Sequence, residues 1–128
     1  MRGLLDTSVF IAREQERALA ADQLPEEAAV SVITVAELLL GVHMAEGEAI
    51  RARRLETVTT LRATYEALPI DEAVAAAFAA LVADARRAGA RPKLQDAWIA
   101  ATARAHDAAV YTQDRDFDDL PGVDVVRV

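Results

Sequence analysis

The chain has 128 residues, of which 53% are hydrophobic, and a net charge of −7. Its length suits a single folded domain, residues 1–128, and its hydrophobic content argues against intrinsic disorder. The absence of cysteine and of any apolar run near about 18 residues excludes disulfides, thiolate metal sites and a membrane-spanning helix. The first residues lack the features of a secretory signal, so we expect a cytoplasmic protein.

The first half of the sequence alternates predicted strands and helices. The apolar run Leu4-Leu5 predicts a buried strand, and a helix over about 9–21 follows it. β-branched residues at 30–33 predict a second strand. Thr34 and Glu37 then have the spacing of a capping box, so we expect Thr34 to cap the next helix.

A long charged helix is predicted over about 47–66, with its inward face formed by Ile50, Leu55, Val58 and Leu61. The remaining elements in chain order are an edge strand at 67–70, an Ala-rich helix capped by Asp71, a helix at 94–106, a strand at 109–112, a helical turn at 116–120 and a last strand at 123–126. Apolar strands joined by helices predict a three-layer α/β/α fold, in which a parallel sheet of about four to five strands is covered on both faces.

Acidic residues stand at or near the carboxyl ends of the predicted strands, where functional groups gather in open parallel sheets. They are Asp6, Glu37, Asp96 and Asp114, with Asp116 close behind. Asp96 is the most informative of them, because Ile99 and Ala103 share its helical face and predict that this face is buried. A buried carboxylate without a partner is costly, so Asp96 is either a helix cap or part of a site that uses its charge.

Each of these acids, taken alone, also has a purely structural interpretation. Asp6 and Asp96 suit helix N-caps, Glu37 suits a capping box, and Asp114 and Asp116 suit an Asx-turn or a solvated loop. Taken together they favour a divalent-cation site, because clustered carboxylates repel one another and Mg²⁺ or Mn²⁺ prefers oxygen ligands. An acidic pocket without His or Cys indicates phosphodiester hydrolysis by a metal-activated water rather than proteolysis.

Four motifs of this sequence resemble those of the PIN domain. They are Leu4–Val9, Ser31–Leu38, Asp96–Ala103 and Tyr111–Phe117. Their order and spacing resemble the VapC toxins of bacterial type II toxin–antitoxin systems, and the resemblance covers nearly the whole chain. It implies a PIN-like nuclease domain that acts as a Mg²⁺- or Mn²⁺-dependent endoribonuclease, with one or two ions per site. It also implies an RNA substrate, a VapB-type antitoxin as partner, and homodimers built on the helices around residues 34–64.

The resemblance further implies roles for individual residues. Metal binding and catalysis would fall to Asp6, Glu37, Asp96 and Asp114. Asp116 matches a supporting acidic position, and Ser8 and Thr112 match hydroxyl positions that orient the acidic cluster.

Contacts to RNA are predicted from charge and position alone. Arg115 is the basic residue nearest the acids in sequence and is our preferred phosphate contact. The basic clusters at 51–54 and 86–93 are either phosphate contacts or solvated surface. Trp98 either stacks on a base or, as we prefer, packs in the core. No membrane partner is expected.

Other classes of protein with acidic strand ends fit the sequence less well. A receiver domain needs a lysine after its last strand, but Lys93 is the only lysine of the chain. A haloacid-dehalogenase-type phosphatase needs a second Asp two residues after the first, where this sequence has Ser8. The remaining alternative is a non-catalytic PIN-like module that binds RNA or protein, which predicts a degraded acidic set.

Overall fold

A five-stranded parallel sheet forms the centre of the protein in a computed structural model, which describes residues 2–128. The strands are Gly3–Leu5 (β1), Ala28–Ser31 (β2), Glu66–Leu68 (β3), Ala109–Thr112 (β4) and Val125–Arg127 (β5). The helices are Thr7–Glu14 (α1), Val32–His43 (α2), Glu48–Thr64 (α3), Glu72–Arg87 (α4) and Leu94–Ala105 (α5). Short 3₁₀ turns cover Ala21–Gln23 and Asp116–Asp119. Within residues 2–128, no helix is both long and apolar enough to cross a bilayer.

The strand order β3-β2-β1-β4-β5 places β1 at the centre of the sheet. The chain first adds strands on one side of β1, pairing Gly3 with Ala28, and then returns to the other side, pairing Leu5 with Tyr111. The order of strands therefore reverses between β1 and β4. In open α/β sheets, this switch point opens a crevice at the carboxyl ends of the strands, where ligands bind.

The two faces of the sheet are covered by separate hydrophobic clusters. Consecutive residues of a strand point to opposite faces, and Leu4 packs with Ile99 on the side of α4 and α5, while Leu5 packs with Phe10 on the side of α1, α2 and α3. Both leucines are almost completely buried. The predicted three-layer α/β/α fold is confirmed.

The predicted inward face of the long charged helix is only half right. Val58 and Leu61 of α3 are 1% exposed and pack in the cluster with Leu5. Ile50 and Leu55, by contrast, are 38% and 48% exposed, so their predicted burial is wrong. The reason is that the first half of α3 contributes no residue to the buried cluster.

Two predicted helix boundaries near the site are also wrong. The first helix ends at Glu14 rather than near residue 21, because Glu16 takes a left-handed conformation (φ 54°) and the Arg17 N–H donates to the Ala12 carbonyl, as in a Schellman motif. The cap of α2 is Ser31, whose Oγ accepts from the Ile33 N–H at 3.0 Å. Thr34 thus lies inside the helix, and the predicted Thr34–Glu37 capping box does not form.

Other predicted elements lie at or within about two residues of their predicted positions. β4 spans 109–112 as expected, and β3 is an edge strand that ends just before Pro69. Asp71 caps α4 through the Val74 N–H at 3.0 Å. The last strand lies slightly later than predicted, at Val125–Arg127.

Gly3 is expected to be intolerant of any side chain. A Cβ there would lie 2.6 Å from Pro25 Cγ and 2.6 Å from Tyr111 Cε1, inside van der Waals distance of both. We expect Gly3→Ala to lower the free energy of unfolding in urea by about 1–3 kcal/mol through this overpacking. Gly41→Ala is the matched control, because its Cβ would meet only the Arg54 side chain, at ordinary van der Waals distances of 3.8 Å and 4.0 Å, and alanine favours a helix by about 0.5–1 kcal/mol. Equal losses from both substitutions would contradict the steric explanation.

Candidate active site

Asp6 lies directly beyond β1, at the switch point of the sheet, and is only 2% exposed. Its Oδ2 accepts a hydrogen bond from Thr112 Oγ1 at 2.8 Å and a weaker one from the Ser8 N–H at 3.3 Å. The second bond makes Asp6 the N-cap of α1, so the structural interpretation of this residue is correct. It is incomplete, however, because a surface cap does not need a hydroxyl from a distant strand.

Hydroxyl groups join the ends of β1 and β4. Thr112 Oγ1 donates to Asp6 and accepts from the Asp114 N–H at 2.9 Å. Ser8 Oγ lies 3.2 Å from Thr112 Oγ1 and accepts from the Gln113 N–H at 3.0 Å. Because the Thr112 proton is used for Asp6, Ser8 donates to Thr112, which gives a directed chain from Ser8 through Thr112 to Asp6. The structure thus brings the two predicted supporting hydroxyls to Asp6.

Glu37 is the sixth residue of α2, and it contacts Thr7, the first residue of α1. Thr7 Oγ1 donates to Glu37 Oε1 at 2.8 Å and lies 3.0 Å from Thr34 Oγ1. Thr7 has a single hydroxyl proton, so its contacts with Glu37 and Thr34 compete for it, and the carboxylate is the stronger acceptor. Burial raises the pKa of Glu37, the Thr7 hydrogen bond opposes this rise, and the charges of Asp6 and Asp114 add to it. Thr7 was not predicted as a site residue.

Asp96 is not the cap of α5. Lys93 occupies the cap position, and Asp96 is the third residue of the helix. In the part of the chain that the structure describes, Asp96 Oδ2 is the single buried side-chain oxygen or nitrogen without a hydrogen-bond partner. Burial, followed by the charges of Asp6, Asp116 and Glu37, raises the pKa of Asp96 to about 6, while Lys93 opposes the rise. The fold therefore holds an acid where an acid is unfavourable, as expected of a site that uses its charge.

Asp114 and Asp116 follow β4 on the same edge of the sheet. Burial raises the pKa of Asp114, with additions from Asp6 and Asp116. Asp116 is exposed and accepts a hydrogen bond from Lys93 Nζ at 3.1 Å. The guanidinium of Arg127 fixes the loop from the last strand, donating to the Asp114 carbonyl and, at 2.7 Å, to Asp118 Oδ1.

The five predicted acids lie close enough for their charges to act on one another. Asp6 raises the pKa of three others, namely Glu37, Asp96 and Asp114. Their ligand atoms are all carboxylate oxygens, which suits Mg²⁺ or Mn²⁺. Across residues 2–128, however, no three Asp, Glu or His side chains lie close enough to hold one ion as they stand. The cluster has the donor chemistry of a metal site but not a closed ligand cage.

The predicted RNA contacts have different environments. Arg115 is exposed and precedes the 3₁₀ turn that carries Asp116, but the cations whose charge acts on Asp96 and Asp114 are Lys93 and Arg17. Trp98 is half-buried and its ring stacks on Phe78, with centroids 3.7 Å apart and an interplanar angle of 12°. One face of the Trp98 ring is therefore already covered, which favours the packing interpretation over base stacking.

Removing the Thr7 hydroxyl is expected to weaken metal binding through Glu37. Thr7→Val deletes the donor to Glu37 Oε1, so we expect Mn²⁺ affinity to fall about 10-fold, at the low end for groups that orient metal ligands. Thr7→Ser keeps the hydroxyl and should bind Mn²⁺ nearly as the wild type does. Isothermal titration calorimetry measures both affinities, and equal affinity of Thr7→Val and wild type would show that Glu37 needs no such support.

Comparisons with known proteins agree with this geometry. The PIN domain family matches residues 3–123. Ribonuclease VapC4 of Mycobacterium tuberculosis is 46% identical over 127 residues, which cover 99% of this chain and 97% of that protein. Ribonuclease VapC5 of the same organism is 43% identical over 129 residues, covering 98% and 95%.

Solved structures give the same result. A VapBC-5 toxin–antitoxin structure from Mycobacterium tuberculosis matches with a TM-score of 0.90 and 41% identity, over 99% of this chain and 98% of that one. FitAcB from Neisseria gonorrhoeae matches with a TM-score of 0.78 and 33% identity, over 98% and 96%. The resemblance of the four sequence motifs is thereby confirmed over the full fold. The chain belongs to the PIN-domain family and, within it, to the VapC proteins.

Proposed function

We propose that this chain is a cytoplasmic, divalent-metal-dependent endoribonuclease, forming one nuclease domain over residues 1–128, and the toxin of a VapBC-type toxin–antitoxin system. The observation that carries the proposal is the unpartnered, buried Oδ2 of Asp96 among four further acids. The VapC relatives are named ribonucleases, which supports RNA as the substrate.

The acids are proposed to hold one or two Mg²⁺ or Mn²⁺ ions. The ligands would be Asp6, Glu37, Asp96 and Asp114, with Asp116 in support. A bound ion supplies positive charge that offsets these carboxylates, polarises the phosphodiester and makes water a better nucleophile for in-line attack on phosphorus.

Protein groups set the geometry of these ligands. Thr112 fixes one oxygen of Asp6, and Thr7 fixes one oxygen of Glu37, so each carboxylate keeps a second oxygen for a cation. Asp96 Oδ2 has no protein donor to displace. The proposed nucleophile is water, so no side chain needs to attack the phosphorus.

The alternative of a non-catalytic binding module accounts less well for these groups. A module that only docks RNA or protein gains nothing from a buried carboxylate without a partner, which lowers stability. Substitution to Asn or Leu would remove that cost. The acidic set is nevertheless complete.

An antitoxin and a second copy of the chain are the proposed protein partners. VapBC-5 is a member of the VapBC family of toxin–antitoxin systems, which supports a VapB-type partner. Between α1 and α3 lies a groove of about 440 Å³, with Phe10, Leu61 and Tyr65 at its base and charged side chains along its edges, which suits an amphipathic segment. Leu40 of α2 and Met44, the C-cap residue of α2, are exposed one turn apart, within the region expected to form a homodimer.

Cleavage of total RNA tests the proposed activity. Purified wild-type protein, free of antitoxin, should produce discrete fragments in Mg²⁺ or Mn²⁺ and none in EDTA. Asp6→Asn should produce none under any condition, although its side-chain oxygen can still accept from Thr112 and keep the fold. Asp22→Asn makes the same chemical change at an exposed residue, so this variant should cleave RNA normally. Intact RNA under every condition, from well-folded wild type, would favour the binding module.

A further inference from the structure

The connection between α4 and α5 carries a group of basic residues, and the structure assigns them different partners. Arg87, on the last turn of α4, turns back to Asp84 at 3.3 Å. Lys93, at the start of α5, instead reaches Asp116 Oδ2 at 3.1 Å, on the loop after β4. The basic group therefore ends with a lysine ammonium at the edge of the acidic cluster, the region where an RNA phosphate would react.

The root of the Lys93 side chain is fixed while its ammonium is free to move. Lys93 follows Pro92 and is the cap residue of α5, with an extended backbone (φ −64°, ψ 137°) three residues before Asp96. Its four-carbon stem carries a compact charge with three donors, which can change partners without movement of the backbone. Lys93 also opposes the raised pKa values of Asp96 and Asp114, so its charge acts on both acids.

The Lys93–Asp116 ion pair is suited to exchange. The two side chains are 72% and 48% exposed, and exposed ion pairs contribute little to stability because water and salt screen them. Arg127 is different, because it is held by both the Asp114 carbonyl and Asp118. Lys93 would therefore lose less interaction energy on leaving its partner than Arg127 would on leaving its two partners.

RNA needs such a cation, because its phosphates are repelled by the same carboxylates that hold the metal. We propose that Lys93 is a substrate-binding residue, which leaves Asp116 and binds a phosphate of the RNA strand next to the scissile bond. Asp116 holds the ammonium in place until RNA arrives. This inference rests on the proposed function, since it assumes that the acidic cluster is where RNA reacts.

The test measures RNA binding separately from cleavage. A fluorescein-labelled, mixed-sequence, single-stranded RNA is titrated with protein in Ca²⁺, and fluorescence anisotropy gives Kd at several KCl concentrations, while gels show whether the RNA stays intact. The variants are Lys93→Met, Lys93→Arg and Asp116→Asn. Arg87→Met is the matched control, because Arg87 also forms an exposed ion pair (77% and 50% exposed) on the same connection.

Lys93→Met is expected to weaken binding about five- to tenfold at low salt and to reduce the slope of log Kd against log[KCl] by about 0.7, the value for one phosphate of a single strand. Lys93→Arg should restore both. Asp116→Asn should tighten binding about two- to threefold, because the ammonium no longer has a competing carboxylate. Arg87→Met should keep the wild-type slope.

Unchanged binding and slope in Lys93→Met would overturn the inference, as would an equal loss in Arg87→Met, which would indicate only general surface charge. Weaker binding by Asp116→Asn at saturating Ca²⁺, where a weakened metal site is still filled, would also overturn it, because the intact ion pair would then be what RNA requires. A different result would contradict the proposed nuclease function alone: wild type that binds this RNA through Lys93 but cuts no RNA in Mg²⁺ or Mn²⁺. Wild type that binds no RNA overturns the inference outright.

Discussion

Asp96→Asn is expected to abolish RNA cleavage and, in metal-free buffer, to raise the melting temperature. Activity should fall by at least about 100-fold, the order lost when one charge-stabilising group is removed from an active site. Stability should rise because Asn removes a charge that burial and three neighbouring carboxylates disfavour. Since Asp96 is only half-buried, we expect a gain of about 1–2 kcal/mol after allowance for solvent screening.

Thermal melts in EDTA and cleavage assays in Mn²⁺ measure the two effects on the same preparations. The opposite signs matter, because a residue that serves the fold loses stability when it is changed, whereas a residue that serves the reaction loses only activity. Asp71→Ala is a useful comparison, since Asp71 caps α4, and it should lose about 1 kcal/mol of stability with little change in activity. If Asp96→Asn unfolds in EDTA, Asp96 has a structural role that its missing hydrogen bond does not show.

The meeting of the acids could be predicted from the sequence because it depends on local signals and on one rule of topology. The runs at Leu4-Leu5 and at 109–112 are short and apolar, and their carboxyl ends are marked by Asp6 and Thr112. Parallel strands bring such ends to one edge, which is enough to place Asp6 beside Asp114. Hydrophobic periodicity alone indicated that Asp96 was buried.

What could not be predicted depends on partners that are distant in the sequence. Thr7 donates to Glu37 across 30 residues, and nothing in the sequence around Thr7 distinguishes it from an ordinary helix-start residue. The end of the first helix was missed because Glu16 takes the left-handed conformation that glycine usually marks. Ile50 and Leu55 follow an amphipathic pattern but face solvent, since periodicity identifies a face and not what covers it.

The stability of the wild-type protein is expected to depend on pH in opposite directions without and with metal. In EDTA, Asp96 has a pKa of about 6 in the folded chain, above the usual aspartate value of 3.8, so the folded state binds more protons between these values. The contribution of Asp96 to stability is therefore greatest below about pH 4, and it falls as the pH rises towards and through about 6. Glu37 and Asp114 add to the fall, because their pKa values are raised as well.

Mn²⁺ should reverse this slope, because it binds the deprotonated acids and not the protonated ones. At about 100 times its Kd, Mn²⁺ should stabilise the protein by about 2.7 kcal/mol near neutral pH and by much less at pH 4, so the melting curves in Mn²⁺ and EDTA should separate as pH rises. Asp96→Asn should flatten the EDTA curve and shrink the separation. If wild-type melting temperatures coincide in Mn²⁺ and EDTA at every pH, the acids repel one another without holding an ion. The charge of Asp96 would then need a cation that is bound only together with RNA or that a partner chain supplies.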